Sequence, residues 1–150
     1  SIIRPRKLMF FSRPYSLLKN LFLFNMNIYA QNILNHYQCP RHRGEMPAAD
    51  ASGRELNRSC GDEMTVYVKI KDGLVSAISF TGKGCAISTA AISILSEELI
   101  GLSKNEILKM DIDDIRKLLG IEISWRREKC ALIGLRALQG ALRSLGSDKL

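Results

Sequence analysis

Between residues 64 and 71 the chain alternates one for one. Met64, Val66, Val68 and Ile70 face one way, and Thr65, Tyr67, Lys69 and Lys71 the other. This is the two-residue period of a strand with one buried face. Asp72-Gly73 follows at once, the dipeptide suited to a two-residue hairpin, and 74–81 supplies the returning strand with Leu74, Ile78 and Phe80 on one face. Residues 55–59 offer a third, edge strand, and 41–53 reads as loop. Past Gly82 the period lengthens to about 3.6. Ile87, Ala90, Ala91, Ile94, Leu95 and Leu99 make one helical stripe, with Ser88, Ser93, Glu97 and Lys104 outside it and Gly101 as the stop. Ser103 and Glu106 form a capping box for a short helix, and Asp111 caps another that ends at Leu119-Gly120. A last helix over 128–145 turns Leu132, Leu135, Leu138, Leu142 and Leu145 to a core and Arg136, Gln139 and Arg143 to water, with Gly146 as its cap. Ahead of the strands, Ile28, Ile33, Leu34 and Tyr37 predict a short amphipathic helix that Pro40 ends. Helix, antiparallel strands, then helices predicts an α+β fold: a small antiparallel three-stranded sheet with helices packed on one face.

The 150 residues, 46% hydrophobic and 25% charged, suit one globular domain and exclude a disordered chain. The longest apolar runs, such as 21–24, are far short of a membrane span. A net charge of +7 suggests nucleic acid until its location is considered. The first acid is Glu45, and before it lie Arg4, Arg6, Lys7, Arg13, Lys19, Arg41 and Arg43. Without those seven, the 22 bases fall to the number of the 15 acids. The body is balanced and carries no basic stripe interleaved with aromatics, so neither a nucleic-acid nor a membrane partner is expected. Residues 1–27 read as a basic leader without a core of its own and 28–150 as the domain. A leader ahead of Met26 is compatible with a disordered or extraneous segment and with a mitochondrial presequence. The expectation is a cytoplasmic protein, with the mitochondrial matrix as the alternative.

Four cysteines remain: Cys39, Cys60, Cys85 and Cys130. None belongs to a CxxC pair, which excludes the usual zinc-finger and thioredoxin spacings, and no secretory signal argues for disulfides. Three stand at element boundaries. Cys60-Gly61-Asp62 opens the sheet, Gly84-Cys85 joins sheet to helix, and Lys129-Cys130 lies in the first turn of the last helix. A helix N-terminus favours thiolate over thiol, and Lys129 adds a cation, so Cys85 and Cys130 are expected to be reactive. Gly61 and Gly84 clear space beside the sulfurs. With Asp62 as an oxygen ligand, three thiolates and a carboxylate suit tetrahedral zinc or a loosely held cluster. Taken singly, each cysteine also fits the role of a small buried apolar residue, and the separations match no generic metal motif.

At these residues the chain resembles the iron-sulfur cluster assembly scaffolds of the IscU, SufU and NifU N-terminal type. The resemblance covers about 28–145. It rests on His36-Tyr37 with Pro40 and Gly44, on Cys60-Gly61-Asp62, on Gly84-Cys85-Ala86-Ile87-Ser88, and on Lys129-Cys130 opening a Leu-rich helix. It implies that Cys60, Asp62, Cys85 and Cys130 gather to bind zinc or a transient [2Fe-2S] cluster. It further implies a cysteine desulfurase as sulfur source, an iron donor, and recipient apo-proteins. The molecule would then be a carrier rather than an enzyme. The alternative is a zinc-dependent sulfurtransferase of the SufU type that accepts persulfide on Cys130, and a structural zinc domain is a third class. Lys129 stands where the scaffold branch has His, and Ser124-Trp125-Arg126-Arg127-Glu128 replaces its LPPVK-type chaperone segment. Arg127-x-Lys129-Cys130 looks more like the sulfur-transfer branch, yet 99–127 is too short for that branch's insertion. Cys39 stands in a turn position usually held by Asn and is read as incidental, His36 as structural, and His42 as solvated. Trp125 is read as either a docking anchor or a cap over the last helix.

Overall fold

The computed structural model describes residues 22–146, with side chains from residue 28 onward. The expected leader therefore lies outside the described residues up to residue 21. Helix α1, Phe22–Gln38, begins earlier than the apolar spacing predicts, because no proline or glycine interrupts the backbone between Phe22 and Ile28. Strands β1 (Ala51–Asn57), β2 (Asp62–Lys71) and β3 (Leu74–Lys83) form an antiparallel sheet in that order. Helices α2 (Ala86–Glu98), α3 (Lys104–Leu108), α4 (Ile112–Leu119) and α5 (Glu128–Ser144) follow. This is the α+β architecture expected.

Strand β1 occupies 51–57 rather than 55–59, since its pairing with β2 runs from Ala51 opposite Val68 to Asn57 opposite Asp62. Both residues of the β2–β3 turn have positive φ, 55° at Asp72 and 76° at Gly73, as a type I′ turn requires. The ladder then slips: Ile70 faces Val75 while Lys69 faces Ala77, leaving an extra residue on β3. That bulge reverses the facing of the strand's first residues. Val75 is therefore buried and Leu74 is exposed, contrary to the expected set of Leu74, Ile78 and Phe80.

The core lies between one sheet face and the helices. Met64, Val66, Val68, Ile78 and Phe80 meet α5 and α2, and α1 packs on the far side of α2. Enclosed on all sides, α2 is buried from Ser88 to Ser96, so Ser88 and Ser93 are not on a wet face as the stripe suggested. Their hydroxyls have partners inside. Ser93 Oγ lies 2.7 Å from His36 Nδ1 and accepts the Arg41 amide at 2.8 Å, and Ser96 Oγ lies 3.0 Å from His42 Nδ1. His36 is thus structural, as expected. Burial, the first cause, and the Arg41 charge hold its pKa below the usual histidine value. His42 is surface-exposed but hydrogen-bonded rather than merely solvated.

Both capping boxes form, Ser103 with Glu106 and Asp111 with Asp114. Gly120 closes α4 in the left-handed region at φ 68°. Gln139, expected in water, is buried and donates Nε2 to the carbonyls of Ile107 at 3.0 Å and Met110 at 3.1 Å. Two glycines let α5 sit this deep. A Cβ on Gly53 of β1 would lie 2.0 Å from the Ala137 carbonyl oxygen, and one on Gly134 would lie 2.7 Å from Ile92 Cβ. Only hydrogen fits at either crossing.

Candidate functional site

The antiparallel register gathers three chain segments at one end of the sheet. Asn57, the last residue of β1, faces Asp62, the first of β2, and Glu63 faces Lys83, the last of β3. The β1–β2 turn with Cys60 and the β3–α2 junction with Cys85 therefore share an edge, and α5 delivers Cys130 in its first turn. Cys60 Sγ lies 3.8 Å from Cys130 Sγ. Ligand atoms of Cys60, Asp62 and Cys130 all fall within 4.8 Å of one another. Cys85 stands outside that radius for at least one of the three, but it is near enough to help raise the Cys130 pKa.

Each side chain is held by local rules. Asp62 continues the inward phase of Met64, Val66 and Val68, so strand periodicity puts a carboxylate on the buried face. It is only 6% exposed, and its Oδ2 has no hydrogen-bond partner. An unpaired buried carboxylate oxygen is costly and calls for a cation or donor. Gly61, at φ 76°, turns the chain between Cys60 and Asp62. Cys85 is the N-cap of α2: its Sγ accepts the Ser88 amide at 3.5 Å, and Ser88 Oγ donates to the Cys85 carbonyl at 3.0 Å. Gly84 must be bare because a Cβ there would meet Ser88 Oγ at 2.1 Å and Asp62 Cγ at 3.5 Å.

Cys130 corrects one expectation. The helix terminus and Lys129 predicted a thiol biased toward thiolate, but Cys130 is 7% exposed and its pKa is pushed up to about 12. Burial is the leading cause, followed by Cys85 and Cys60. Burial of the sulfur outweighs the helix dipole, while Lys129 points to the surface at the next helical position. Thiols packed this closely repel one another as thiolates. A divalent cation reverses that balance and deprotonates its thiol ligands outright. The donor set of three sulfurs and one oxygen fits zinc or iron. Cys60 is exposed and Cys85 half-buried, so the site opens on the Cys60 side.

Asn57 is a site residue that motif reading missed. Its Oδ1 accepts the Ser59 amide at 3.1 Å, its carbonyl accepts the Gly61 amide at 2.8 Å, and its Nδ2 points to Cys130 Sγ at 4.0 Å. An Asn at a strand end before a tight turn was the available signal. Cys39 is exposed at the end of α1 and takes no part in the cluster. Trp125 is 76% exposed, with the Arg126 guanidinium 5.3 Å from its ring centroid, so it does not cap α5.

The model of the NifU-like N terminal domain matches residues 28–148. The chain belongs to this family. Among relatives of the NifU-like domain, "Iron-sulfur cluster assembly scaffold protein IscU 1" of Archaeoglobus fulgidus is 33% identical over 115 residues, 77% of this chain and 74% of that protein. The zinc-dependent sulfurtransferase SufU of Bacillus subtilis is 30% identical over 137 residues, 77% of this chain and 92% of SufU. The SufU alignment is longer than the part of this chain it covers, so SufU carries residues that this NifU-like domain lacks. Among solved structures, the SUF-system protein FiSufU of Fervidobacterium islandicum superposes with a TM-score of 0.65 at 27% identity, covering 77% of this chain and 96% of its own. A Brucella abortus NifU-like N-terminal domain gives a TM-score of 0.65 at 24% identity, over 81% of this chain and 96% of that one. Among the described residues, no helix of this NifU-like domain is long and apolar enough to cross a membrane.

Proposed function

We propose that this NifU-like domain is an assembly scaffold. In this reading it accepts sulfur from a cysteine desulfurase, receives iron from a donor, builds a labile [2Fe-2S] cluster on Cys60, Asp62, Cys85 and Cys130, and passes it to apo-proteins. One observation carries the reading: two thiols and a buried carboxylate with an unpartnered oxygen converge within 4.8 Å beside a third thiol. Three sulfurs and one oxygen hold a cluster less firmly than four thiolates, which suits cargo that must leave. The open Cys60 side gives sulfur a way in. A scaffold thiolate attacks the outer sulfur of the donor's persulfide, the sulfur–sulfur bond breaks, and the donor's thiolate leaves with its electron pair; a thiol or electron-transfer protein then supplies the electrons, two per sulfur, that release it as the sulfide a cluster takes up.

The test is anaerobic reconstitution with ferrous iron, cysteine, a cysteine desulfurase and dithiothreitol as reductant. A visible cluster chromophore should form in the parent and in Cys39→Ser and be lost in Cys60→Ser and Cys85→Ser. A colourless parent under all conditions refutes the scaffold.

A second reading, a zinc-dependent sulfurtransferase with Cys130 as persulfide acceptor, is supported by the 30% identity to SufU and by a donor set that equally fits tetrahedral zinc. It predicts about one zinc per purified chain and loss of desulfurase stimulation in Cys130→Ser. The burial of Cys130 beside an exposed Cys60 weighs against direct delivery to Cys130.

A further inference from the structure

Next to the thiols, and made from other side chains, a cleft of about 260 Å³ runs between residues 55–59 and the N-terminal half of α5. Its lining includes Ile133 and the three cations Arg58, Lys129 and Arg136, with Glu55 as the one acid. All three cations are exposed, and none has an ion-pair partner among the described residues. One wall of the cleft is β1, the outermost strand of the sheet, whose outer edge pairs with no other strand among the described residues. Leu56, on that strand and lining the cleft, is 45% exposed.

We propose that this cleft is a docking groove for an extended acidic segment of a partner protein. A free strand edge presents unpaired amides and carbonyls that an added strand can satisfy. Three cations to one acid along the groove select carboxylates and steer their approach. Leu56, exposed on the outer face of that strand, gives one apolar residue of the same segment something to cover. The groove's position assigns the partner's purpose, and that clause rests on the scaffold reading. Arg58 is two residues before Cys60 and Lys129 adjoins Cys130, so a segment seated here brings its own protein to the thiols where sulfur or cluster is exchanged.

The probe is a fluorescein-labelled ten-residue peptide alternating Glu and Val, titrated by anisotropy against the full chain at low salt. Arg58→Glu/Lys129→Glu/Arg136→Glu should weaken binding roughly tenfold or more, and the milder triple change to Gln should weaken it in the same direction. Lys71→Glu/Lys109→Glu/Lys117→Glu, an equal charge change at exposed sites elsewhere, should leave it within about twofold. Amide shifts of the parent should concentrate at 55–59 and 129–136. The proposal is overturned if the peptide does not bind, if the control triple loses as much, if the shifts fall elsewhere, or if a single-stranded oligonucleotide of matched charge binds as tightly. None of these results depends on cluster formation, so the groove and the scaffold reading fail separately.

Discussion

Asp62→Ala should make the metal-free protein more stable. The carboxylate sits at the start of β2, 6% exposed, with Oδ2 unpartnered. A buried polar atom left without a partner costs about 1–3 kcal/mol. The substitution keeps Cβ, and the place it vacates already borders the bare Gly84, whose own Cβ position is 3.5 Å from Asp62 Cγ. Little packing is therefore lost, and the net gain should be about 1–2 kcal/mol, or roughly 3–10 °C in Tm for a domain of this size. The assay is calorimetry of reduced protein with a chelator, then with zinc. Zinc at a hundred times its dissociation constant stabilises a native site by about 2.7 kcal/mol. The order should then invert, with the parent, which keeps its oxygen ligand, gaining more than Asp62→Ala. If metal-free Asp62→Ala melts at or below the parent, the carboxylate is not a stored cost awaiting a cation, and the argument for its role collapses.

Three further outcomes follow from the same structure. Gly53→Ala drives a Cβ to 2.0 Å from the Ala137 carbonyl oxygen, so α5 must lift from β1. Urea unfolding should show a loss of about 3 kcal/mol, and an unchanged midpoint would contradict the packing. Gln139→Leu strands the Met110 carbonyl that Nε2 now reaches at 3.1 Å. A loss of about 1–3 kcal/mol should come with faster amide exchange across α3 and α4, and unchanged exchange would count against that link. Because the folded Cys130 thiol is pushed from 9.0 to about 12, its contribution is full below pH 9 and lost as pH rises toward 12. Urea midpoints of the metal-free, reduced parent should fall over that window, and Cys130→Ala should flatten the fall; equal slopes would refute the assignment.

Much of this protein was determined by its sequence alone. Local rules suffice where an interaction closes within a few residues: the Asp72-Gly73 turn, the boxes at Ser103 and Asp111, the stop at Gly120, and the alternation that makes β2 a half-buried strand. That alternation, followed back two residues from Met64, already turns Asp62 inward. The residues that converge at the end of the sheet were legible as Cys60-Gly61-Asp62, Gly84-Cys85 and Lys129-Cys130, because each lies in a short motif at the boundary of an element. What tertiary structure decided depends on neighbours far along the chain. Ser88, Ser93 and Gln139 look like solvent positions until α1 covers α2 and α5 reaches the carbonyls of Ile107 and Met110 at the end of α3. Leu74 exchanges places with Val75 only because β3 must bulge against β2. Cys130 has the local signature of an activated thiol, and only its burial against Cys60 and Cys85 reverses that sign. Periodicity is set by backbone geometry and can be read residue by residue. Dielectric environment and the company of other thiols are set by packing, and they exist only once the chain has folded.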